Sequence, residues 1–252
     1  MVAAPVPHSP ARHPPPPARA LVAASYNVHK AVGADGRRQP GRILDVLDEI
    51  GADIAVLQEA DLRFGIRHSV FPAPLLEDRG WRVVRFDRRG ISLGWHGNAV
   101  LVRNDVTPVR HRRIRLPALE PRGAVLADLG IGDSIVRVAG MHLDLSGLRR
   151  QNQAQAVLRR LAAAPGDPPT LVMGDLNSWR PDEACLATLA ARLRELPLPA
   201  SFPAWLPIGR LDRIFASPDL AILDFGVHAS PTARIASDHL PVFVRFAVPA
   251  TG

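Results

Sequence analysis

Residues 134–177 read SIVRVAGMHLDLSGLRRQNQAQAVLRRLAAAPGDPPTLVMGDLN. The first part is an apolar run with several β-branched residues, which is typical of a buried strand. The middle part carries apolar residues at helical spacing and ends at the PGDPP stretch, which predicts an amphipathic helix. TLVMGDLN then begins with a second apolar run. The segment therefore predicts a strand, a helix and another strand.

The same alternation extends along the rest of the chain. LVAASYN (21–27) and IAVLQE (54–59) predict strands, and RILDVLDEI (42–50) between them predicts a helix. PDEACLATLAARLREL (181–196) predicts a second clear helix, with proline at its start and acidic residues in its first turn. Further apolar runs predict strands: NAVLVR (98–103), AVLADL (124–129), RLDRIFA (210–216), AILDFGV (221–227) and HLPVFVRFAV (239–248). This pattern indicates an α/β fold with two packed sheets and helices outside.

Length and composition limit the class of protein. The chain has 252 residues, 47% of them hydrophobic and 22% charged, which suits one folded α/β domain over residues 21–250. No apolar stretch approaches the roughly 20 residues that a membrane-spanning helix needs. The single cysteine, Cys185, excludes an internal disulfide. The proline-rich opening predicts a disordered tail over residues 1–20, without the apolar segment of a secretory signal.

The net charge of +7 suggests an anionic partner such as nucleic acid or a membrane surface. Lysine occurs once, at Lys30, so nearly all of the positive charge is arginine. We interpret this arginine bias as a result of genomic base composition in preference to selection for polyanion binding. The arginine runs at 85–90 and 110–115 could follow a polyanion backbone, although a solvated protein face is the favoured interpretation.

Several strands end in residues that an apolar core does not accommodate. These residues, with two later clusters, are Asn27, Glu59, His142, Asp175, Asn177, Asp212, Asp238 and His239. A buried carboxylate must be paired or bound to a cation, so we expect these groups to line one shared site. A set rich in oxygen ligands and lacking thiolates suits Mg²⁺ and phosphoryl chemistry. No Walker-type loop or dinucleotide fingerprint is present, so we expect no nucleotide cofactor.

Seven motifs together resemble the endonuclease/exonuclease/phosphatase superfamily, in particular its small bacterial members of uncharacterised substrate. They occur in that superfamily's order: SYNVHK (25–30), LQEAD (57–61), HGNAVL (96–101), MHLDL (141–145), GDLN (174–177), RLDRIF (210–215) and SDHLP (237–241). The superfamily includes deoxyribonucleases and sphingomyelinases. The resemblance implies a four-layer α/β sandwich, with two packed mixed β-sheets flanked by helices and the site at one edge of the sheets.

The resemblance also implies a metal site. Glu59 would be the principal metal ligand, Asn27 would contact metal water or phosphate, and Asp238 would complete the metal environment. The implied ion is Mg²⁺, with Mn²⁺ as an alternative. Asn98 and Arg122 could each help to order the site or could each end a loop, and both interpretations stay open.

The remaining roles concern water and phosphate. By resemblance, Asp175 would position or deprotonate the attacking water, and Asn177 would donate to a phosphate oxygen. Asp212 would fix the tautomer of His239, and His142 resembles the histidine of the deoxyribonuclease and sphingomyelinase branches. The choice of Asp175 or His239 as general base stays open, with Asp175 slightly favoured.

Three functions follow from these observations. The first is a Mg²⁺-dependent phosphodiesterase acting on nucleic acid or a phospholipid. The second is a phosphomonoesterase acting on a lipid or small phosphate ester, and the third is a non-enzymatic protein that binds an anionic surface. Trp179 and the loop SFPAWLPIG (201–209) could stack on a base, touch a lipid chain or simply pack as a loop. We expect a monomer that is cytoplasmic or peripheral to a membrane.

Overall fold

A computed structural model describes residues 19–62, 68–86, 91–117 and 122–248. Of the predicted tail (1–20), residues 1–18 lie outside these ranges. In chain order the strands are β1 (Arg19–Asn27), β2 (Ile54–Gln58), β3 (Arg82–Val83), β4 (Ala99–Val102), β5 (Thr107–Arg115), β6 (Gly123–Ile131), β7 (Ser134–His142), β8 (Thr170–Asp175), β9 (Arg194–Glu195), β10 (Asp212–Ala216), β11 (Ala221–Val227) and β12 (Val242–Val248). The α-helices are α1 (Pro40–Ile50), α2 (Ala73–Asp78), α3 (Gly147–Ala162), α4 (Ala184–Ala190) and α5 (Pro231–Ala236).

The strands form two six-stranded sheets. The strand order is β11-β12-β1-β2-β4-β3 in the first sheet and β5-β6-β7-β8-β10-β9 in the second. Each sheet contains one parallel pair near its centre, β1 with β2 and β7 with β8. The neighbouring pairs are antiparallel, so both sheets are mixed.

The two sheets pack face to face over an apolar layer. Val56 of the first sheet lies in this layer with Val125 and Met173 of the second. The contact is close, because a Cβ built on Gly140 would lie 2.4 Å from the Cγ1 atom of Val56. The central strands β1, β2, β7 and β8 read as apolar runs because both of their faces are covered.

Helices cover the outer faces. Leu44 and Leu47 of α1 join the outward side chains of the first sheet in one apolar cluster. Val157 of α3 and Leu186 of α4 do the same for the second sheet, beside Phe215. The result is a four-layer α/β sandwich, which confirms the predicted fold class. No helix in the described ranges is long and apolar enough to cross a membrane.

One local feature differs from the expectations. The helix predicted over residues 181–196 is shorter, because α4 ends at Ala190 and Arg194 and Glu195 pair with β10 as strand β9. Pairing at the sheet edge therefore overrides local helix propensity there. The arginine run at 110–115 belongs to β5, the edge strand of the second sheet, and most of its side chains are exposed.

Candidate active site

Polar residues meet where strands end at one edge of the sandwich. Asn27 ends β1, and Glu59 directly follows its parallel neighbour β2. In the second sheet His142 ends β7 and pairs in register with Asp175 at the end of β8, while Asp175 also pairs with Asp212 at the start of β10. Both sheets thus contribute residues to the same edge.

Asp175 is the centre of this cluster and is 1% exposed. Its Oδ2 atom accepts a hydrogen bond from Asn27 Nδ2 at 3.0 Å, which links the two sheets. The same oxygen lies 3.4 Å from His142 Nε2 and 3.7 Å from His239 Nε2. Its Oδ1 atom accepts a hydrogen bond from the backbone N–H of Asn177 at 2.9 Å. One carboxylate therefore faces two imidazoles and an amide.

His239 is held by a buried carboxylate. Its Nδ1 atom lies 2.8 Å from Asp212 Oδ2, which also accepts a hydrogen bond from Ser201 Oγ at 2.5 Å. Burial alone would lower the pKa of His239, but the negative charge of Asp212 and its hydrogen bond outweigh burial and raise the pKa to about 10. The imidazole is therefore protonated at neutral pH, with Nε2 directed toward Asp175.

His142 has the opposite protonation state. Burial lowers its pKa to about 4, and the attraction of Asp175 offsets this only in part. The guanidinium of Arg122 contacts His142 Nε2 and further disfavours the imidazolium. Since an arginine is always a donor, this contact assigns Nε2 as the acceptor and the ring proton to Nδ1. Asp175 is thus flanked by one neutral and one charged histidine.

The GDLN turn sets the position of Asp175. Gly174 has φ 151°, and a Cβ on it would lie 1.9 Å from the carbonyl oxygen of Met141, so only glycine fits there. Asn177 has φ 49°, and its Nδ2 atom donates to the carbonyl of Leu143 at 2.9 Å. One of the two amide hydrogens of Asn177 therefore orders the loop, and one remains for a ligand.

Glu59 lies beside the only lysine of the chain. The Lys30 ammonium contacts Glu59 Oε2, and both side chains are about three-quarters buried. Burial alone would raise the pKa of Glu59, but the charges of His142 and Lys30 lower it below 4.5. Because His142 is neutral above about pH 4, Lys30 is the persistent cation. Glu59 is therefore ionised, and the Lys30 ammonium balances its negative charge.

Asp238 lies on the other side of Asn27. Its Oδ1 atom is 3.8 Å from His29 Nδ1 and 3.3 Å from Ser237 Oγ, and that hydroxyl donates to the carbonyl of Asn27. No hydrogen bond or ion pair among the described residues joins Asp238 to Glu59, and no three His, Cys, Asp or Glu side chains in these ranges converge on one ion position. Mg²⁺ commonly takes only one or two carboxylates together with water and substrate phosphate, so the chemistry of these oxygen donors is compatible with that ion.

The loop SFPAWLPIG (201–209) lies beside the site, although its sequence does not indicate which of its residues contact His239 and Asp212. Ser201 and Phe202 come from a loop, and the Phe202 ring lies 4.7 Å from the His239 ring between centroids. Lys30 could have been found, because it is the only lysine and follows Asn27 by three residues. Asn98 orders a loop, since its Nδ2 atom donates to the carbonyl of Gly123 at 2.9 Å.

Comparison with known proteins assigns the family. The model of the Endonuclease/Exonuclease/phosphatase family matches residues 24–239. The chain belongs to this family. Endonuclease/exonuclease/phosphatase proteins are phosphoric ester hydrolases, which confirms the predicted enzyme class. The uncharacterized protein YbhP of Escherichia coli is 29% identical over 246 residues, which cover 86% of this chain and 92% of YbhP.

Solved structures share the endonuclease/exonuclease/phosphatase fold. An endonuclease/exonuclease/phosphatase from Bacteroides vulgatus has a TM-score of 0.71 at 15% identity, covering 90% of this chain and 98% of its own. The mannosyl-6-phosphatase of Bacteroides thetaiotaomicron has a TM-score of 0.69 at 20% identity, with coverages of 90% and 100%. The Danio rerio TDP2, complexed with a single-strand DNA product, has a TM-score of 0.69 at 18% identity, with coverages of 91% and 99%.

Proposed function

We propose that this chain is a magnesium-dependent phosphoesterase that hydrolyses a phosphodiester by in-line attack of water. The observation that carries the proposal is the buried carboxylate of Asp175, which one neutral and one protonated histidine flank. Neighbouring groups whose environments separate their pKa values are typical of acid–base sites.

The protonation states favour Asp175 as the general base. His239 carries a proton on both nitrogens at neutral pH, because Asp212 stabilises the imidazolium. It can therefore donate to a phosphoryl oxygen but cannot accept a proton from water. We therefore assign to Asp175, whose Oδ2 atom lies 3.7 Å from His239 Nε2, the role of orienting the water and taking its proton.

Positive and polar groups around Asp175 would stabilise charge on the phosphoryl oxygens. Arg122 reaches the site through its contact with His142, and Asn177 retains one amide hydrogen. Such preorganised donors act strongly at sites shielded from water. This arrangement needs no covalent intermediate on the protein.

Glu59, Asn27 and Asp238 are the residues that would hold the cation. Glu59 is ionised and Asn27 and Asp238 offer oxygen atoms, which is the donor chemistry that Mg²⁺ prefers. When bound, a divalent cation polarises the phosphoryl group and neutralises part of its charge.

The test is hydrolysis of bis(p-nitrophenyl) phosphate with Mg²⁺, with Mn²⁺ and with EDTA. We expect activity that EDTA removes and that Asp175→Asn lowers about 10²–10⁴-fold. Asp128→Asn is the matched control, because it also alters a buried ion pair, with Arg137, but lies away from the site. Full activity in Asp175→Asn would refute the proposal. Absence of hydrolysis with every substrate would instead support the non-enzymatic, anion-binding alternative.

A phosphomonoester is the second candidate substrate. The mannosyl-6-phosphatase of Bacteroides thetaiotaomicron shares the fold of this chain over 90% of its length, which supports this alternative. Comparing p-nitrophenyl phosphate with its diester separates the two. Faster turnover of the monoester at equal concentration would favour the phosphatase.

A further inference from the structure

Four large apolar side chains are exposed near the catalytic edge. The exposed fractions are 56% for Trp179, 71% for Trp205, 54% for Leu206 and 71% for Ile208. We call these four residues the apolar rim. Single exposed apolar side chains are common on protein surfaces, but a cluster beside a site indicates an interaction surface.

The apolar rim directly adjoins the proposed site. Trp179 lies two residues beyond Asn177, and its ring packs edge-on against Phe202, with centroids 5.9 Å apart. The Phe202 ring also packs against the ring of His239, with centroids 4.7 Å apart. Phe202 therefore contacts both the exposed Trp179 and the imidazole of His239.

The loop that presents the apolar rim is internally ordered. Phe202 and Gly209 exchange backbone hydrogen bonds at 3.1 and 2.7 Å, and the backbone N–H of Leu206 donates to the carbonyl of Pro203. Its exposed side chains are therefore displayed by a closed turn. An ordered loop loses little conformational entropy when it binds a surface.

The Trp179 side of the rim is fixed by a separate contact. The backbone N–H of Trp179 donates to Glu183 Oε1 at 3.0 Å, and Glu183 is itself ion-paired with the buried Arg150. Trp179 thus remains exposed although its backbone is held in place.

Positive charge flanks the apolar rim. Arg210 directly follows the loop and is exposed, and the guanidinium of Arg234 donates to the carbonyl of Ala204 at 2.9 Å. Tryptophan and aliphatic side chains bordered by arginine suit the interface of a bilayer that contains anionic lipid. Leu206 and Ile208 have no flat face for stacking on a base, so this composition favours lipid over nucleic acid.

We propose that the apolar rim docks on an anionic phospholipid surface and that the ester hydrolysed at the site belongs to that surface. This inference rests on the proposed hydrolase function. It accounts for exposed apolar side chains beside a polar site, because docking would bring lipid phosphates to Asp175 while the rim lies among the acyl chains.

The test compares two double variants. Trp205→Ala/Ile208→Ala removes apolar area from the rim, and Val109→Ala/Leu223→Ala removes exposed apolar area from β5 and β11, where the exposed fractions are 50% and 56%. Co-sedimentation uses vesicles of phosphatidylcholine and phosphatidylglycerol at about 3:1. We expect wild type and the β-strand control to bind, and the rim variant to bind at least about tenfold more weakly.

Two further measurements separate the inference from the proposed function. Hydrolysis of soluble bis(p-nitrophenyl) phosphate should change less than about twofold in the rim variant, since this substrate needs no docking. Wild type that ignores the vesicles, or a rim variant that binds them equally well, overturns the inference and leaves the hydrolase intact. A rim variant that loses binding only to single-stranded DNA would also overturn it and make the rim a base-stacking surface. Vesicle binding by a protein inactive on every ester would refute the proposed function, and with it the lipid ester as substrate, and would leave only the docking of the rim.

Discussion

Replacing Asp212 with asparagine tests how the protein keeps His239 protonated. Asp212 is fully buried, His239 is 5% exposed, and their side chains meet at 2.8 Å. Asparagine preserves the shape of the side chain but removes the charge that stabilises the imidazolium. Burial is then opposed only by the weaker attraction of Asp175 and Asp238, so we expect the pKa of His239 to fall well below about 10.

The magnitude follows from the burial of the pair. Removing one partner of a buried ion pair costs about 3–5 kcal/mol, and the retained acceptor oxygen of asparagine favours the lower end, about 3 kcal/mol. A raised pKa stabilises the folded state fully below the unfolded-state pKa and loses this effect as the pH rises through the folded-state pKa. The difference in stability between wild type and Asp212→Asn should therefore be full below about pH 6.5 and decline toward pH 10.

The assay combines urea unfolding in EDTA between pH 6 and 10 with hydrolysis of bis(p-nitrophenyl) phosphate in Mg²⁺. We expect the activity of Asp212→Asn to fall by about a hundredfold or more, because His239 loses its fixed proton. Asp128→Asn disrupts the buried pair with Arg137, five residues before His142 on β7. It should cost comparable stability, but without pH dependence in this range, because arginine does not titrate there.

A stability difference that stays constant from pH 6 to 10 would refute the assignment of a charged His239. Equal activity losses in Asp212→Asn and Asp128→Asn would show that destabilisation, and not protonation, limits the rate.

Three other perturbations address the metal, the core and the loop that carries Trp179. Glu59→Gln should abolish the Mg²⁺-dependent rise in Tm. Lys30→Met should lower, several-fold, the Mg²⁺ concentration that gives half of this rise, because a competing cation is removed. An unchanged Tm titration in both variants would contradict a site at Glu59. Gly140→Ala should cost about 1–3 kcal/mol in urea unfolding, since its new methyl group would crowd Val56, and an unaltered midpoint would argue against such close packing. Glu183→Gln should cost about 2 kcal/mol at pH 7. Burial alone would raise the pKa of Glu183, but its arginine partner lowers it below 4.5. This difference should therefore shrink as the pH falls below about 4.5 and through the folded-state pKa; a gap that does not shrink on acidification would count against the ion pair.

The sequence predicts best those elements that carry an apolar run or an apolar helical face. β7, α3 and β8 follow from long apolar runs and helical spacing, because each element packs against the core. β5 gives no such signal, since it is an edge strand in which Ile114 is the only fully buried side chain. α5 buries only two alanines over six residues, so no apolar periodicity marks it.

Whether a site residue can be predicted depends on whether it lies in an apolar strand or in a loop. Asn27, His142 and Asp175 are recognisable because each interrupts an apolar strand at its end. Ser201 and Phe202 come from a loop, where a serine or phenylalanine has many structural uses. Their roles depend on contacts between segments that are distant in the chain, which local sequence patterns do not encode.

The hydrogen bond from Asn27 to Asp175 spans the gap between the two sheets, so the reactive centre belongs to neither half of the sandwich alone. A sideways slip of one sheet across the other would separate these partners before any strand lost its own pairing. Substitutions deep in the apolar layer, such as those around Gly140, should therefore lower turnover in a protein that still unfolds cooperatively. In this architecture, loss of turnover would be an early sign of imperfect alignment between the two halves.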